Sequence, residues 1–239
     1  MKELINVTPL WDYLKTADKP ILLYGMGNGA DMVIKVLDEL ALEWQDTFAS
    51  DGFVRGHYFH GKKVLTFSEA EEKYGDFIAL MTFAVHDEKT MSFIKELSSR
   101  HELYSPTVAV VDGAPFTYDY FLQNEEKFSR AYSLLADEKS KEAFLNVLRY
   151  KISGKTEFLF AAHSEKMCVY SDILKLGKNE TIVDLGAYDG DTIREFVTAT
   201  NGEYNKIIAL PDLTELSFYD EDSKLIDLTP LSTQVTETV

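Results

Sequence analysis

Cysteine is nearly missing from this 239-residue chain: Cys168 stands alone, so no internal disulfide can form, and a thiol without a partner fits a reducing compartment. Basic residues are scarce as well. Twenty-four Lys and Arg face 40 Asp and Glu, a formal charge of −16, and that field repels nucleic-acid phosphates and anionic lipid headgroups. Neither nucleic acid nor membrane is expected as a partner. No uninterrupted apolar run approaches the ~18 residues of a membrane span, and Met1-Lys2-Glu3-Leu4 carries an early acid and no apolar signal core. A cytoplasmic protein is expected. With only 6 Pro and 13 Gly, collagen and low-complexity classes fit poorly, while 45% hydrophobic residues can build one large core or two small ones.

What is present is an alternation of apolar runs and helical stripes. Thr8-Pro9 ahead of Leu10, Trp11 and Leu14 reads as a capped opening helix. Pro20–Tyr24 is a compact apolar run that ends in Gly25-Met26-Gly27-Asn28-Gly29-Ala30, and Met32, Val33, Val36, Leu37 and Leu40 follow at helical spacing; this is strand, glycine turn, helix. Strands are expected at Asp46–Ala49, Val64–Leu65, Phe77–Phe83 and Thr107–Val111, with helices between them, one started by a capping box of Ser68 and Glu71 and one marked by Met91, Ile94 and Leu97. Alternation of this kind builds a parallel sheet. Residues 1–117 are therefore read as a Rossmann-like domain. Residues 118–178 read as a helical bridge, with Asp137 as a cap, Gly154 as a stop, and a last helix that Gly177 ends. A second strand, glycine turn and helix opens the segment 179–239.

The two glycine turns carry the chemistry. Gly25, Gly27 and Ala30 match G-x-G-x-x-G/A after a strand and before a helix. Glycine lets the backbone approach a diphosphate, and the helix start offers free amides to it. Gly25, Gly27, Asn28 and Gly29 are the candidate nucleotide- or sugar-binding residues, with Asp51, or else Asp46, as the acid about 20 residues on that would hold a ribose. A tight turn that binds nothing is the competing reading. In the second turn, Asp184 stands at a strand end and Gly186 and Gly190 follow. A carboxylate there suits a cationic amine, and amides near Thr192 suit a ligand carboxylate. S-adenosylmethionine combines those groups with an adenosine.

The run Val183-Asp184-Leu185-Gly186-Ala187-Tyr188-Asp189-Gly190-Asp191-Thr192 resembles motif I of class I S-adenosylmethionine-dependent methyltransferases in the form used by the FkbM family. Tyr24–Gly29, Phe48–Gly56 and Phe59–Leu65 resemble the Rossmann-like N-terminal region of some bacterial FkbM-type proteins, which is also similar to nucleotide-sugar-binding domains of sugar acyltransferases. The resemblance implies an S-adenosylmethionine cofactor and O-methylation of a sugar or related hydroxylated metabolite. It implies donor binding by Asp184, Gly186, Ala187, Gly190 and Thr192. The ribose acid that the family places after the next strand, usually in Glu-Pro-Asp, is here reduced to Asp212 in Ala209-Leu210-Pro211-Asp212. The 58 residues from Ile182 to Val239 hold about two strand-helix units of ~30 residues, short of a six-stranded nucleotide fold. The expected fold is thus α/β: a Rossmann-like parallel-sheet domain, a helical bridge and an incomplete methyltransferase-like unit.

The remaining constellations read as structure. His57-x-x-His60 fills two of four zinc positions, so no metal is expected; His86, His101 and His163 read as surface or loop residues, with His163 a weak candidate base. Cys168 reads as a small buried hydrophobe, and Phe116, Tyr118, Tyr120 and Phe121 as helix packing. The expected partner is a small molecule, a nucleotide sugar or a glycan, and a second copy of the chain is a further candidate. A binding module without turnover, whose first turn holds a nucleotide or nucleotide sugar, is the alternative; a nicotinamide-dependent oxidoreductase rests on Gly25, Gly27 and Ala30 alone and ranks last.

Overall fold

A computed structural model describes residues 1–50, 54, 56–85, 87–109, 116–164 and 166–210. The chain divides into two compact units, Met1–His163 and Ser164–Val239. In the first unit, two short helices, α1 (Lys2–Ile5) and α2 (Leu10–Leu14), precede strand β1 (Ile21–Tyr24) and helix α3 (Asn28–Glu39). Strand β2 (Asp46–Phe48), a hairpin of β3 (Tyr58–Phe59) and β4 (Lys62–Lys63), helix α4 (Phe67–Tyr74), strand β5 (Ile78–Met81), helix α5 (Glu88–Arg100) and strand β6 (Glu102–Tyr104) follow. Four of these strands make a parallel sheet in the order β2-β1-β5-β6. This is the Rossmann-like α/β architecture that the alternating pattern predicts.

The two central strands, β1 and β5, are buried on both faces, and both are apolar without interruption. Alternate side chains serve opposite faces. Leu22, Tyr24, Ala79 and Met81 pack with Phe67, Ala70, Ile94 and Leu97 from α4 and α5. Ile21, Leu23, Ile78 and Leu80 pack with Leu10 and Leu14 of α2 and Val33 and Leu37 of α3. Helices α6 (Tyr118–Gln123), α7 (Glu125–Ser133) and α8 (Glu138–Ser153) gather around Phe121, Leu145, Leu148 and Ile152, with Ile5 of α1 closing that cluster, and α9 (Thr156–Ala162) packs against α8. Asp137 caps α8 through Ser140, and Gly154 ends it at φ 67°, as expected from the sequence.

Several local expectations are corrected. The capping box of α4 is Thr66 with Glu69, not Ser68 with Glu71: the Thr66 hydroxyl accepts from the Glu69 amide and the Glu69 carboxylate from the Thr66 amide. Helix α2 begins after Pro9 with no side-chain cap, so Thr8 does not serve. The fourth strand is Glu102–Tyr104, paired with β5. Residues 107–109 of the expected Thr107–Val111 strand have no regular structure, and Val108 packs against the second core cluster instead; Val110 and Val111 lie outside the described residues. Val64–Leu65 reaches the sheet only through a single parallel bridge from Leu65 to Phe48.

The second unit holds a π-helix at Val169–Leu174, strand β7 (Thr181–Leu185), helix α10 (Asp191–Ala199) and strand β8 (Lys206–Leu210). Strands β7 and β8 are parallel and in register from Thr181↔Lys206 to Leu185↔Leu210. The π-helix stops at Lys175, in the left-handed region at φ 52°, two residues before the expected Gly177, whose amide instead donates to the Glu180 carboxylate. Asp212, expected as the ribose acid, lies outside the described residues.

Candidate functional sites

In the first unit the chain leaves β1, goes out to β2, and then crosses to β5 on the other side of β1. Ligands of open parallel sheets bind at the carboxyl ends of the strands where the order reverses in this way. The glycine turn lies there. Gly25 and Gly27 have φ of +110° and +112°, a conformation that L side chains rarely adopt. A Cβ on Gly27 would meet nothing within 4 Å, so this is the open position of the turn. A Cβ on Gly29 would lie 2.0 Å from the Thr82 carbonyl oxygen; Gly29, not Ala30, is the glycine that lets helix and strand end approach. Gly27 caps α3 without a side-chain bond, and the first helical bond runs from the Asp31 amide to the Gly27 oxygen. The amides of Asn28, Gly29 and Ala30 thus have no helical acceptor. Asp31 in that first turn is held by His60, Nε2 to Oδ1 at 2.7 Å, which accounts for one member of the His57-x-x-His60 pair.

Beside this turn is a cavity of about 320 Å³ lined, among the described residues, by Tyr24, Gly25, Met26, Ala49, Ser50, Phe83, Ala84, Asp87 and Thr90. The Tyr24 ring is stacked on Phe48 and edge-on to Phe83. Its hydroxyl pairs with the Ser50 hydroxyl at 2.8 Å. Burial pushes the Tyr24 phenol above its ordinary range, against the Ser50 hydrogen bond, so it remains a neutral group. Asp87 caps α5, its two oxygens accepting from the Thr90 amide and hydroxyl at 2.8 and 2.7 Å; those bonds hold its carboxyl below the usual range.

Of the two candidate ribose acids, Asp51 lies outside the described residues. Asp46 is excluded by position: it begins β2, at the end of the sheet away from the glycine turn. Its buried carboxylate is also occupied, by Lys73 at 2.7 Å and the Tyr74 hydroxyl. His101 is not a surface residue. Its ring is buried, stacked on Phe77 with centroids 4.0 Å apart, and bonded to Glu71 at 3.0 Å. His163 is exposed after α9, and His86 lies outside the described residues. Cys168 is half-buried rather than enclosed.

In the second unit, β7 delivers Asp184 to the strand end opposite Ala209. Its Oδ2 is buried and has no hydrogen-bond partner among the described residues. The π-helix brings Tyr170 close: burial first, then Glu195 and Asp184, raise that phenol above its ordinary range. Gly186 turns at φ +88°, and the amides of Gly186 and Ala187 both donate to the Leu210 oxygen, at 2.7 and 3.0 Å. They tie the turn to β8. Gly190, at φ +80°, caps α10. The Arg194 amide makes the first helical bond to Gly190, and the Asp191 amide takes an oxygen of Asp189 at 3.2 Å. The amides of Thr192 and Ile193 then lack helical acceptors. Arg194 crosses back to Asp189, 3.2 Å between side chains, and offsets its charge.

The chain as a whole is similar in fold to a solved structure, methyltransferase FkbM from Methylobacillus flagellatus KT, with a TM-score of 0.55 over 87% of this chain. The fold is FkbM-methyltransferase-like. Sequence identity is 18%, and the chain spans 57% of the length of that protein. No protein-family model matches the sequence. No curated protein matches it either. Among the described residues no helix is long and apolar enough to cross a membrane.

Proposed function

We propose that the chain is an S-adenosylmethionine-dependent methyltransferase of the FkbM type that O-methylates a sugar or related hydroxylated metabolite. The observation that carries this reading is the buried Oδ2 of Asp184 at the end of a parallel strand, which has no partner among the described residues. A carboxylate oxygen cut off from water and from every donor costs about 1–3 kcal/mol, and an ammonium group removes that cost. The free amides of Thr192 and Ile193 at the start of α10 suit the carboxylate of the same amino acid moiety. The residues present therefore fit the amino acid end of the methyl donor. When bound, that donor supplies an electrophilic methyl group. The work left to the protein is alignment of an acceptor hydroxyl.

Calorimetric titration of the purified chain with S-adenosylmethionine, and with its demethylated product, tests the reading. Saturable binding that Asp184→Ala abolishes supports it, and absence of donor binding in a folded sample overturns it. A second reading, a nucleotide- or sugar-binding module without turnover, is favoured by the formed cavity at the switch point of the first sheet. It predicts ligand binding there with none at Asp184. Cytoplasmic location and a small-molecule partner, nucleotide sugar or glycan, belong to both readings.

A further inference from the structure

We infer that the cavity at the carboxyl ends of β1, β2 and β5 holds a neutral ring bearing neighbouring hydroxyls, and that Ser50, Phe83 and Asp87 select it. The inference deepens the reading of the first unit as the part that holds a nucleotide or sugar, and rests on it. The donor-site reading at Asp184 is separate.

Three features of the cavity decide the ligand class. Its lining among the described residues contains one carboxylate, Asp87, and no Lys, Arg or His. Asp87 stays ionised because Thr90 bonds both of its oxygens, so it repels a phosphate or carboxylate placed beside it. The second feature is the Tyr24–Ser50 hydroxyl pair. One hydroxyl hydrogen makes that bond and the other remains to be given, while oxygen lone pairs remain to accept. A group that both donates and accepts at neighbouring positions satisfies this pair and Asp87 together; sugar hydroxyls do so, whereas an organic cation would satisfy Asp87 alone. The third is the wall made by Phe83, about a third exposed and held edge-on against the buried Tyr24 ring with centroids 4.8 Å apart. Aromatic surface of this kind covers the apolar C–H face of a sugar ring. The volume, about 320 Å³, lies at the small end of ligand pockets and suits one ring. That ring has two sources, the ribose of a nucleotide or the hexose attached to it.

Titration of the full chain with UDP-glucose, UDP and glucose 1-phosphate, followed by calorimetry, tests the inference on the wild type and on Phe83→Ala, Asp87→Asn and Ser50→Ala. Asn retains the capping role at position 87, so α5 is kept, and the thermal midpoint of each variant reports folding separately. The expected result is about a tenfold loss of affinity in Asp87→Asn and Phe83→Ala. Loss for UDP-glucose and glucose 1-phosphate but not UDP places the hexose in the cavity; loss for UDP and UDP-glucose alike places the ribose there. Affinities unchanged in all three folded variants, or no saturable binding of any of the three ligands, overturn the inference. S-adenosylmethionine titrated into the same samples reports on Asp184, so the two readings fail independently.

Discussion

Gly29 lies so close to Thr82 that a Cβ on it would sit 2.0 Å from the Thr82 carbonyl oxygen. The contact sets how near the start of α3 can come to the end of β5, and thereby the width of the crevice between them. Backbone is the obstacle here, so no flexible side chain can swing away. Gly29→Ala is expected to lower stability by about 1–3 kcal/mol, the range of overpacked cores, and to weaken ligand binding in the crevice as α3 is displaced. Chemical unfolding checks the first effect. An unchanged midpoint would mean that α3 is not held where the contact places it.

The cap of α4 gives a second contrast. Thr66 and Glu69 exchange bonds reciprocally, 3.1 Å from the Glu69 amide to the Thr66 hydroxyl and 2.8 Å from the Thr66 amide to the Glu69 carboxylate. Thr66→Ala should cost about 1 kcal/mol. Ser68→Ala, at an exposed position inside the helix, should stay within about 0.5 kcal/mol of the wild type. Equal losses from the two substitutions in thermal unfolding would count against the capping box at Thr66.

The helix boundary shows where sequence patterns stop being decisive. Thr66-x-x-Glu69 and Ser68-x-x-Glu71 are both capping signatures, and only tertiary placement chooses between them: Phe67 is buried in the sheet-facing cluster, so the helix must already include it. Strand β6 was hidden for a related reason. Glu102-Leu103-Tyr104 is short and begins on a charge, and its strand character comes from pairing with β5, a partner distant in sequence. The apolar Thr107–Val111 run was the stronger local signal. By contrast β1, β5 and the two glycine turns were legible because apolar continuity and positive φ are local demands. In the candidate sites, Gly25, Gly27, Asp184 and Gly190 stand where their types predict, while Ser50, Phe83 and Asp87 carry no motif. They meet only because parallel strands end side by side.

Asp184 offers a test in which stability and binding move in different directions. Its Oδ2 lacks a partner among the described residues, which makes the carboxylate a cost to the ligand-free protein. Asp184→Asn removes the charge at nearly constant volume. The ligand-free variant is expected to melt at or above the wild-type temperature, while the stabilisation that S-adenosylmethionine gives the wild type is lost. A variant that melts lower without ligand and is still stabilised by the donor would assign Asp184 a purely structural role.

The charge network at the foot of the first sheet contributes to the protein's response to pH at both ends of the range. Glu102 accepts from the hydroxyls of Tyr13 and Tyr104 and pairs with Lys19 at 2.8 Å, and Lys19 also reaches Asp76 at 2.7 Å. Burial alone would raise the Glu102 carboxyl, but the bonds from Lys19, Tyr13 and Tyr104 hold it below its ordinary value of 4.5. A depressed carboxyl contributes stability that is complete above the unfolded-state value and is lost as pH falls through the folded one. Asp76, lowered chiefly by Lys19 from 3.8, acts in the same sense. At the other end, Tyr13, bonded to Glu102, is raised above 10.0, and its contribution fades as pH rises beyond that. Glu102→Gln removes the carboxylate from both limbs. Melting temperature measured against pH should then fall less steeply than the wild type's below pH 4.5 and lose part of its decline above pH 10; a profile parallel to the wild type's at both ends would place the pH dependence elsewhere.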